Sequence, residues 1–283
     1  MLGLMKVLLI GADGMLGRAV HAAAPTDYTV VPTTMATLDI TMDEAVYRVV
    51  GARFDWVINC AAYTSVDAAE THEDLARRVN GAAVGTIGRA AAAQGTRVLH
   101  LSTDYVFDGR LTRPYREDDE PRPLGAYGRS KHAGELALAA SGCRWTLVRT
   151  QWLYGGGPSF VRTMWGKARR GEQARVVNDQ FGAPTHTAEL ADVLWRLVRE
   201  GADGIWHAAA EGCTTWYEVA QRVYRSVGAD NSLVTPCTTK EYGAAAPRPA
   251  NGCLDTSKLG RMRPFHEVLT LALHTDRCGI TGP

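Results

Sequence analysis

Lys6-Val-Leu-Leu-Ile-Gly-Ala-Asp-Gly-Met-Leu-Gly17 joins a continuous apolar run to three glycines, and the reading of that junction decides the fold. The run from Lys6 to Ile10 has the uninterrupted character of a strand buried on both faces of a parallel sheet. Glycines at 11, 14 and 17 permit a tight turn, close approach of backbone to a pyrophosphate, and close packing of helix on strand. The helix expected over 18–24 then presents unpaired N–H groups to the phosphates. An ordinary turn also tolerates glycines, but at the first strand-to-helix junction of a chain the pattern favours a dinucleotide site.

Working outward, strands are expected over 28–32, 56–59 and 98–101. They alternate with helices over 42–50, from about 66, and over an alanine-rich 75–94. That alternation predicts an α/β fold, a doubly wound parallel sheet of the Rossmann kind. Ligands of such sheets collect at the carboxyl ends of the strands, where residues 11–17, 61–63 and 102–105 fall. The end of the second strand, Val31-Pro-Thr-Thr34, offers no carboxylate to bind a ribose 2′-hydroxyl or to repel a 2′-phosphate, which tilts the cofactor toward NADPH. No arginine stands there either, so NADH stays open. Asp39-Ile40-Thr41 reads equally as an edge for the adenine or as a helix N-cap around Thr41.

Downstream of the third of these strands, Tyr127 precedes Lys131 by four residues. On a helix these positions share a face, so phenol and ammonium converge on one small volume. A cation there favours phenolate, and a tyrosine so prepared serves as general acid toward a carbonyl oxygen. Solvated helix faces produce the same spacing by chance, so its weight comes from the rest of the chain.

Composition sets the frame. The 283 residues, 46% hydrophobic and 22% charged, suit one large globular unit or two cooperating lobes. A net charge of +1 points neither to nucleic acid nor to a membrane surface, so an anionic ligand has to be held locally. Six scattered cysteines, at 60, 143, 213, 237, 253 and 278, without a Cys-x-x-Cys pair, predict reduced thiols in a cytoplasmic protein. The apolar N-terminal run is too short to span a bilayer and lacks signal-peptide layout. Histidines 72, 186, 207 and 266 show no ligand spacing, so no metal site is expected.

Taken together, several phrases resemble the dTDP-4-dehydrorhamnose reductases of the extended short-chain dehydrogenase/reductase superfamily. They are Gly11-Ala-Asp-Gly-Met-Leu-Gly17, Val57-Ile-Asn-Cys-Ala-Ala-Tyr-Thr-Ser-Val-Asp-Ala-Ala-Glu70, and Leu101-Ser-Thr-Asp-Tyr-Val-Phe-Asp-Gly109. They continue through Pro123-Leu-Gly-Ala-Tyr-Gly-Arg-Ser-Lys131, Arg149-Thr-Gln-Trp-Leu-Tyr-Gly155, Val177-Asn-Asp-Gln-Phe-Gly-Ala-Pro-Thr185 and Leu254-Asp-Thr-Ser-Lys258. The resemblance implies reduction of the C4 keto group of a dTDP-4-dehydro-6-deoxyhexose, giving dTDP-L-rhamnose from the usual substrate. It implies that Tyr127 is the general acid, that Thr103 donates a further hydrogen bond, and that Lys131 binds the nicotinamide ribose. Cofactor contacts carried over are Gly11, Asp13, Gly14, Met15, Leu16, Asp39, Ile40, Ala61, Ala62 and Tyr63, with Tyr127 and Lys131. Val66, Asp104, Tyr105 and Trp152 match positions lining the sugar pocket.

By the same resemblance, residues 1–152 form the dinucleotide-binding domain, with 186–215 packing back on it, while 153–185 and 216–283 form the nucleotide-sugar lobe. Arg162, Lys167, Arg169, Arg170, Arg248 and Arg261 are the cations available to the diphosphate. The loop 116–120 is read as a polar connection or as an acidic flap. Some members bind Mg2+ at a dimer interface through a glutamate where this chain has Ala19, which argues against Mg2+ and for a monomer or a metal-independent homodimer. The tail over 274–283 is expected to be loosely held. Two other readings share the framework: a 4-ketoreductase of a different dTDP-deoxysugar, and a non-catalytic NADP(H)-binding subunit, which would have lost members of the set Thr103, Tyr127 and Lys131.

Overall fold

A computed structural model describes residues 4–275 of the chain. The tail expected to be loose lies outside the described residues from 276 on, while His274 and Thr275 close a helix. In the first part of the chain the order is β1 (Met5–Ile10), α1 (Met15–Ala22), β2 (Tyr28–Thr33), α2 (Asp43–Val50), β3 (Trp56–Asn59), α3 (Val66–Ala69), α4 (Glu73–Arg77) and α5 (Ala83–Ala92). Then follow β4 (Arg97–Thr103), α6 (Ala126–Ala139) and β5 (Trp145–Thr150). The alanine-rich stretch is thus broken: one π-helical turn, Arg78–Ala82, separates α4 from α5. It places Asn80 inward, where Oδ1 accepts from the Tyr63 N–H at 2.8 Å and Nδ2 donates to Tyr63 O and Ser130 Oγ, both at 3.0 Å. Those bonds recruit an asparagine that has poor helix propensity of its own.

Farther on lie β6 (Leu153–Tyr154), α7 (Phe160–Arg169), β7 (Ala174–Val177), β8 (Phe181–Gly182), β9 (Thr185–His186), α8 (Thr187–Glu200) and β10 (Gly204–His207). The described chain closes with β11 (Thr214–Thr215), α9 (Trp216–Ser226), β12 (Val234–Cys237), α10 (Thr239–Tyr242) and α11 (Phe265–Thr275). The main sheet has six strands in the order β10-β5-β4-β3-β1-β2, and every pairing is parallel. β10, from late in the chain, therefore completes the first sheet beside β5.

Burial explains the doubly wound arrangement. Val7, Leu8 and Leu9 are fully buried, and alternate residues of β1 feed two separate cores. Val7 and Leu9 join the core that α1 and α8 cover; Leu8 and Ile10 join the core under α2, α5 and α6. A third core, with Val161, Met164, Val219, Val223 and Leu269, gathers α7, α9 and α11 around β7 and β12. Ala19 packs against the first core from α1.

The cysteine expectation needs correction. Cys213 and Cys253 form a disulfide, 40 residues apart in sequence, with Cα atoms 6.0 Å apart. No spacing motif announces it, because the two strands meet only through tertiary contact: β11 pairs with β8, and Gly252 donates its N–H to Phe181 O at 2.8 Å. Cys60, Cys143 and Cys237 are free thiols.

Candidate active site

The glycine turn has the shape that its sequence requires. Gly11 sits at φ +77°, and a Cβ there would lie 2.7 Å from Ala61 N; a Cβ on Gly17 would lie 2.0 Å from Gly11 O. Both positions exclude side chains, so β1, α1 and the loop after β3 approach one another backbone to backbone. Gly14 is the N-cap of α1, with no side-chain cap and no acidic residue in the first turn. An uncapped helix start of this kind, floored by Ala61, fits the diphosphate of a dinucleotide. Gly11 N and Ala12 N both donate to Thr33 O, which brings the carboxylate-free end of β2 to the same place.

Asp39 and Ile40 divide. Ile40 is buried, whereas the exposed Asp39 carboxylate accepts from Thr41 N–H at 2.9 Å and from Thr41 Oγ1 at 2.7 Å. Thr41 is not the cap of α2, since Met42 holds that position without a side-chain bond. Asp39 is thus held in a local turn, and its carboxyl sits below its usual range because of those two bonds.

Thr103, Tyr127, Asp104 and Tyr105 meet where β4 ends and α6 begins. Thr103 Oγ1 accepts from Tyr105 N–H at 3.2 Å and donates to Asp104 Oδ1 at 3.0 Å. Its single hydrogen is thereby committed to Asp104, and Thr103 also stands beside Tyr127, where it favours the ionised phenol. The Tyr127 phenol and the Asp104 carboxyl thus lie on either side of Thr103. Burial is the main influence on each end: it pushes Asp104 up to about 7 against its hydrogen bonds. It also raises the Tyr127 phenol, with the nearby Asp104 adding to the rise. Tyr105 stands edge-on to Tyr127, ring centroids 5.5 Å apart.

Lys131 differs from expectation in where its charge is spent. Fully within the fold, it donates to Leu101 O at 2.6 Å, and burial lowers its ammonium to about 8 although Glu135 and Cys60 oppose the shift. The influences on the Tyr127 phenol are burial, Asp104, Thr103 and Tyr105, while Lys131 directs its hydrogen bond to Leu101 O. The reason is geometric: the carbonyl of β4 draws the lysine nitrogen.

Of the residues expected to line the sugar pocket, Val66 opens α3, and the next residue, Asp67, accepts from Arg248 at 2.8 and 3.1 Å. Arg248 also hydrogen-bonds Tyr105. Of the other candidate cations, Arg170 pairs with Glu172, Arg261 with Glu211, and Arg169 lies over Trp165. Trp152 adopts φ +46° and stacks on Trp216 at 3.6 Å between centroids. Gly182 lies directly beneath it, and a Cβ there would fall 2.5 Å from Trp152 Cε2. Sequence reading assigned no role to Trp216, Gly182, Asn80 or the Arg149–Glu135 pair; the asparagine interrupting an alanine-rich helix was a local signal for one of them. The 116–120 loop is a polar connection: Asp119 pairs with Arg113 at 2.7 Å and Glu117 accepts from the His207 N–H at 3.0 Å. Among the described residues no group of three or more His, Cys, Asp or Glu is placed to hold a metal ion, and no helix is long and apolar enough to cross a membrane.

The chain is similar to proteins of one family. The family model for the RmlD substrate binding domain matches residues 5–274. A dTDP-4-dehydrorhamnose reductase of Mycolicibacterium smegmatis is 41% identical, over 93% of this chain and 84% of that protein. A probable dTDP-4,6-dihydroxy-2-methyloxan-3-one 4-ketoreductase of Streptomyces antibioticus is 43% identical, over 88% of this chain and 86% of that protein. A crystal structure of the Bacillus anthracis dTDP-4-dehydrorhamnose reductase in complex with NADP superposes with a TM-score of 0.92 at 33% identity, covering 96% of this chain and 99% of that one.

Proposed function

The chain belongs to the dTDP-4-dehydrorhamnose reductase family of oxidoreductases, and from that premise we propose that it reduces the C4 keto group of dTDP-4-dehydro-L-rhamnose to give dTDP-L-rhamnose. The observation that carries the reading is Tyr127, at the start of α6, beside the bonded pair Thr103 and Asp104 at the end of β4, next to a glycine cradle that fits a dinucleotide. The residues around Gly11, Asp13, Gly14, Met15, Leu16, Ala61, Ala62 and Tyr63 would hold NADPH, and β2 ends without an acid to repel a 2′-phosphate. The nicotinamide, when bound, supplies the hydride to C4.

Everything else is work for the chain's own groups. Tyr127 keeps its proton at neutral pH and releases it to the C4 oxygen as negative charge grows there. Thr103 reaches the same oxygen only when its hydrogen leaves Asp104, so the ionisation of Asp104 governs that second bond. Below about pH 7 Asp104 is protonated and releases Thr103; above it, the carboxylate holds the hydroxyl. A fall of kcat/KM as pH rises through about 7 is therefore expected, and Asp104→Asn should lack it. Matching profiles for both proteins would remove Asp104 from this role.

Trp152, Tyr105 and Val66 shape the sugar site, with Trp216 and Gly182 fixing the plane of Trp152. Gly182→Ala overpacks that site, and weakening of sugar-nucleotide binding by about tenfold, roughly 1.4 kcal/mol, is expected. Calorimetric titration with dTDP-L-rhamnose checks it, and unchanged affinity would show that Trp152 is not a sugar contact.

The test of the function is NADPH oxidation followed at 340 nm with dTDP-4-dehydro-L-rhamnose, comparing wild type and Tyr127→Phe, with and without EDTA. Turnover that depends on the sugar, fails in the variant and ignores EDTA supports a metal-independent C4 reductase. The resemblance to a Streptomyces 4-ketoreductase keeps a sibling reaction as the second reading; turnover only with another dTDP-4-keto-6-deoxyhexose would select it.

A further inference from the structure

The Cys213–Cys253 disulfide ties together two segments that meet the candidate sugar-site residues. On one side, Cys213 leads into β11, and β11 runs directly into Trp216, whose indole stacks on Trp152. β11 pairs with β8, with Thr214 opposite Gly182, the glycine beneath the Trp152 ring. On the other side, Cys253 follows Gly252, which packs on the Asp104 carboxylate so closely that no Cβ would fit beside Oδ2. One covalent bond therefore joins the segment that fixes Trp152 to the segment that rests on Asp104.

The two halves of the bridge differ. Cys253 is 2% exposed, and its backbone is held from both sides: its N–H donates to Asn251 Oδ1 at 3.0 Å, and its carbonyl accepts from the Tyr115 N–H at 2.8 Å. Asn251 is anchored in turn, its N–H on Gly109 O at 3.2 Å and its Nδ2 on Leu111 O at 2.8 Å. Cys213 is an exposed residue, placed just after Gly212, whose φ of +103° suits a glycine. A thiol in solution thus approaches the bridge from the Cys213 side. Exposed disulfides are the readily exchanged ones, whereas structural bridges resist the glutathione pool. The Cα separation of 6.0 Å lies in the ordinary range for a bridge, so closing it asks for no large backbone movement. Cys60, Cys143 and Cys237 are free thiols, so among the described cysteines it is the pair beside the sugar site that is joined.

We propose that Cys213–Cys253 is a thiol-exchange site for low-molecular-weight thiols and their disulfides, and that its closure sets the affinity of the sugar site by holding Trp216 and Gly252 in place. The effect on affinity rests on the reading of Trp152 and Asp104 as sugar-site residues. In the opening step the thiolate of a small thiol attacks Cys213 Sγ. The Cys213–Cys253 S–S bond breaks, a mixed disulfide forms on Cys213, and Cys253 leaves as a thiolate that takes a proton from solvent. A second small thiolate attacks the outer sulfur of the mixed disulfide, releases Cys213 and departs as the oxidised small disulfide. Two electrons thus pass from two small thiols to the bridge, and the small disulfide closes it again by the reverse steps. Opening leaves Cys253 anchored through Asn251 and Tyr115 but frees the Cys213 end of β11, so Trp216 loses a constraint and the Trp152 ring its fixed plane. Tyr127 belongs to α6 and is carried by neither segment.

Wild type equilibrated in glutathione buffers from reduced to oxidised, then unfolded and alkylated, gives the thiol count by intact mass, and the two extremes should differ by the one pair. Affinity for dTDP-L-rhamnose, titrated calorimetrically in the same buffers, should weaken by about fivefold to tenfold as the bridge opens, the cost of ordering one freed side chain on binding. The near-ultraviolet circular dichroism of the Trp152–Trp216 stack, identified by its loss in Trp216→Phe, should fall over the same range without any ligand. Cys213→Ser should keep the weak affinity and the open-form spectrum at every ratio. A bridge that stays closed, or stays open, across the whole series overturns the proposal. So does a bridge that opens while the spectrum, or the affinity, stays where it was. Should Cys213→Ser not fold, the wild-type series still decides. If the sugar nucleotide binds in neither state, the functional reading fails, while the thiol count and the spectrum still judge the exchange site.

Discussion

Tyr127→Phe is expected to lower kcat by about 10²- to 10⁴-fold, the range that a positioned general acid supplies. The substitution leaves the surroundings nearly unchanged. The ring keeps its edge-on contact with Tyr105 at 5.5 Å and its place beside Ala69, Ala76 and Ala126. Thr103 keeps its bonds to Asp104 and to the Tyr105 N–H. Affinity for NADPH, measured by quenching of protein fluorescence, should therefore hold while the chemical step fails. Single-turnover stopped flow at 340 nm separates the two. A loss of less than tenfold would mean that the proton reaches the C4 oxygen by another route, and Thr103 with Asp104 would be the next group to examine.

The parts of this fold that were legible in the sequence are those written locally. Lys6-Val-Leu-Leu-Ile10 reads as a doubly buried strand because all its positions are apolar, and the sheet uses both faces of β1. Glycines 11 and 17 read as a turn and a close packing point because a side chain at either meets backbone. The i, i+4 spacing of Tyr127 and Lys131 read as one helix, and α6 carries both, with Thr103 beside Tyr127. What could not be read depends on pairs distant in sequence. His100 meets Asn59 and Lys131 across 41 and 31 residues. The Cys213–Cys253 disulfide spans 40. The bond from Lys131 to the Leu101 carbonyl of β4 likewise exists only in the assembled sheet. Trp152 at φ +46° has no sequence signal at all; its stack on Trp216 and the space above Gly182 fix it.

The same separation between local and assembled information governs the largest expected effect on stability. Glu135 of α6 and Arg149 of β5 form an ion pair at 2.8 and 3.0 Å, with side chains 6% and 2% exposed. Ser102 Oγ donates to the same carboxylate, and the Arg149 guanidinium lies 5.0 Å from the centre of the Phe107 ring. Glu135→Gln leaves the guanidinium buried without its counter-charge, and a loss of about 3–5 kcal/mol in urea unfolding at pH 7 is expected. A double substitution, Glu135→Gln with Arg149→Met, should regain much of it, because the cost arises from the orphaned charge and not from the absence of a pair. Burial opposes ionisation of Glu135. The hydrogen bonds from His132 and Arg149, the Arg149 charge and the Ser102 bond outweigh it and hold the carboxyl at about 2. A folded value below the unfolded one gives stability that is full above the unfolded carboxyl value, near 4.3, and is lost as pH falls from there through about 2. Wild type should weaken over that window and Glu135→Gln should not. Parallel acid profiles for the two proteins would show that the carboxylate is not the group whose ionisation holds β4, β5 and α6 together beneath the site.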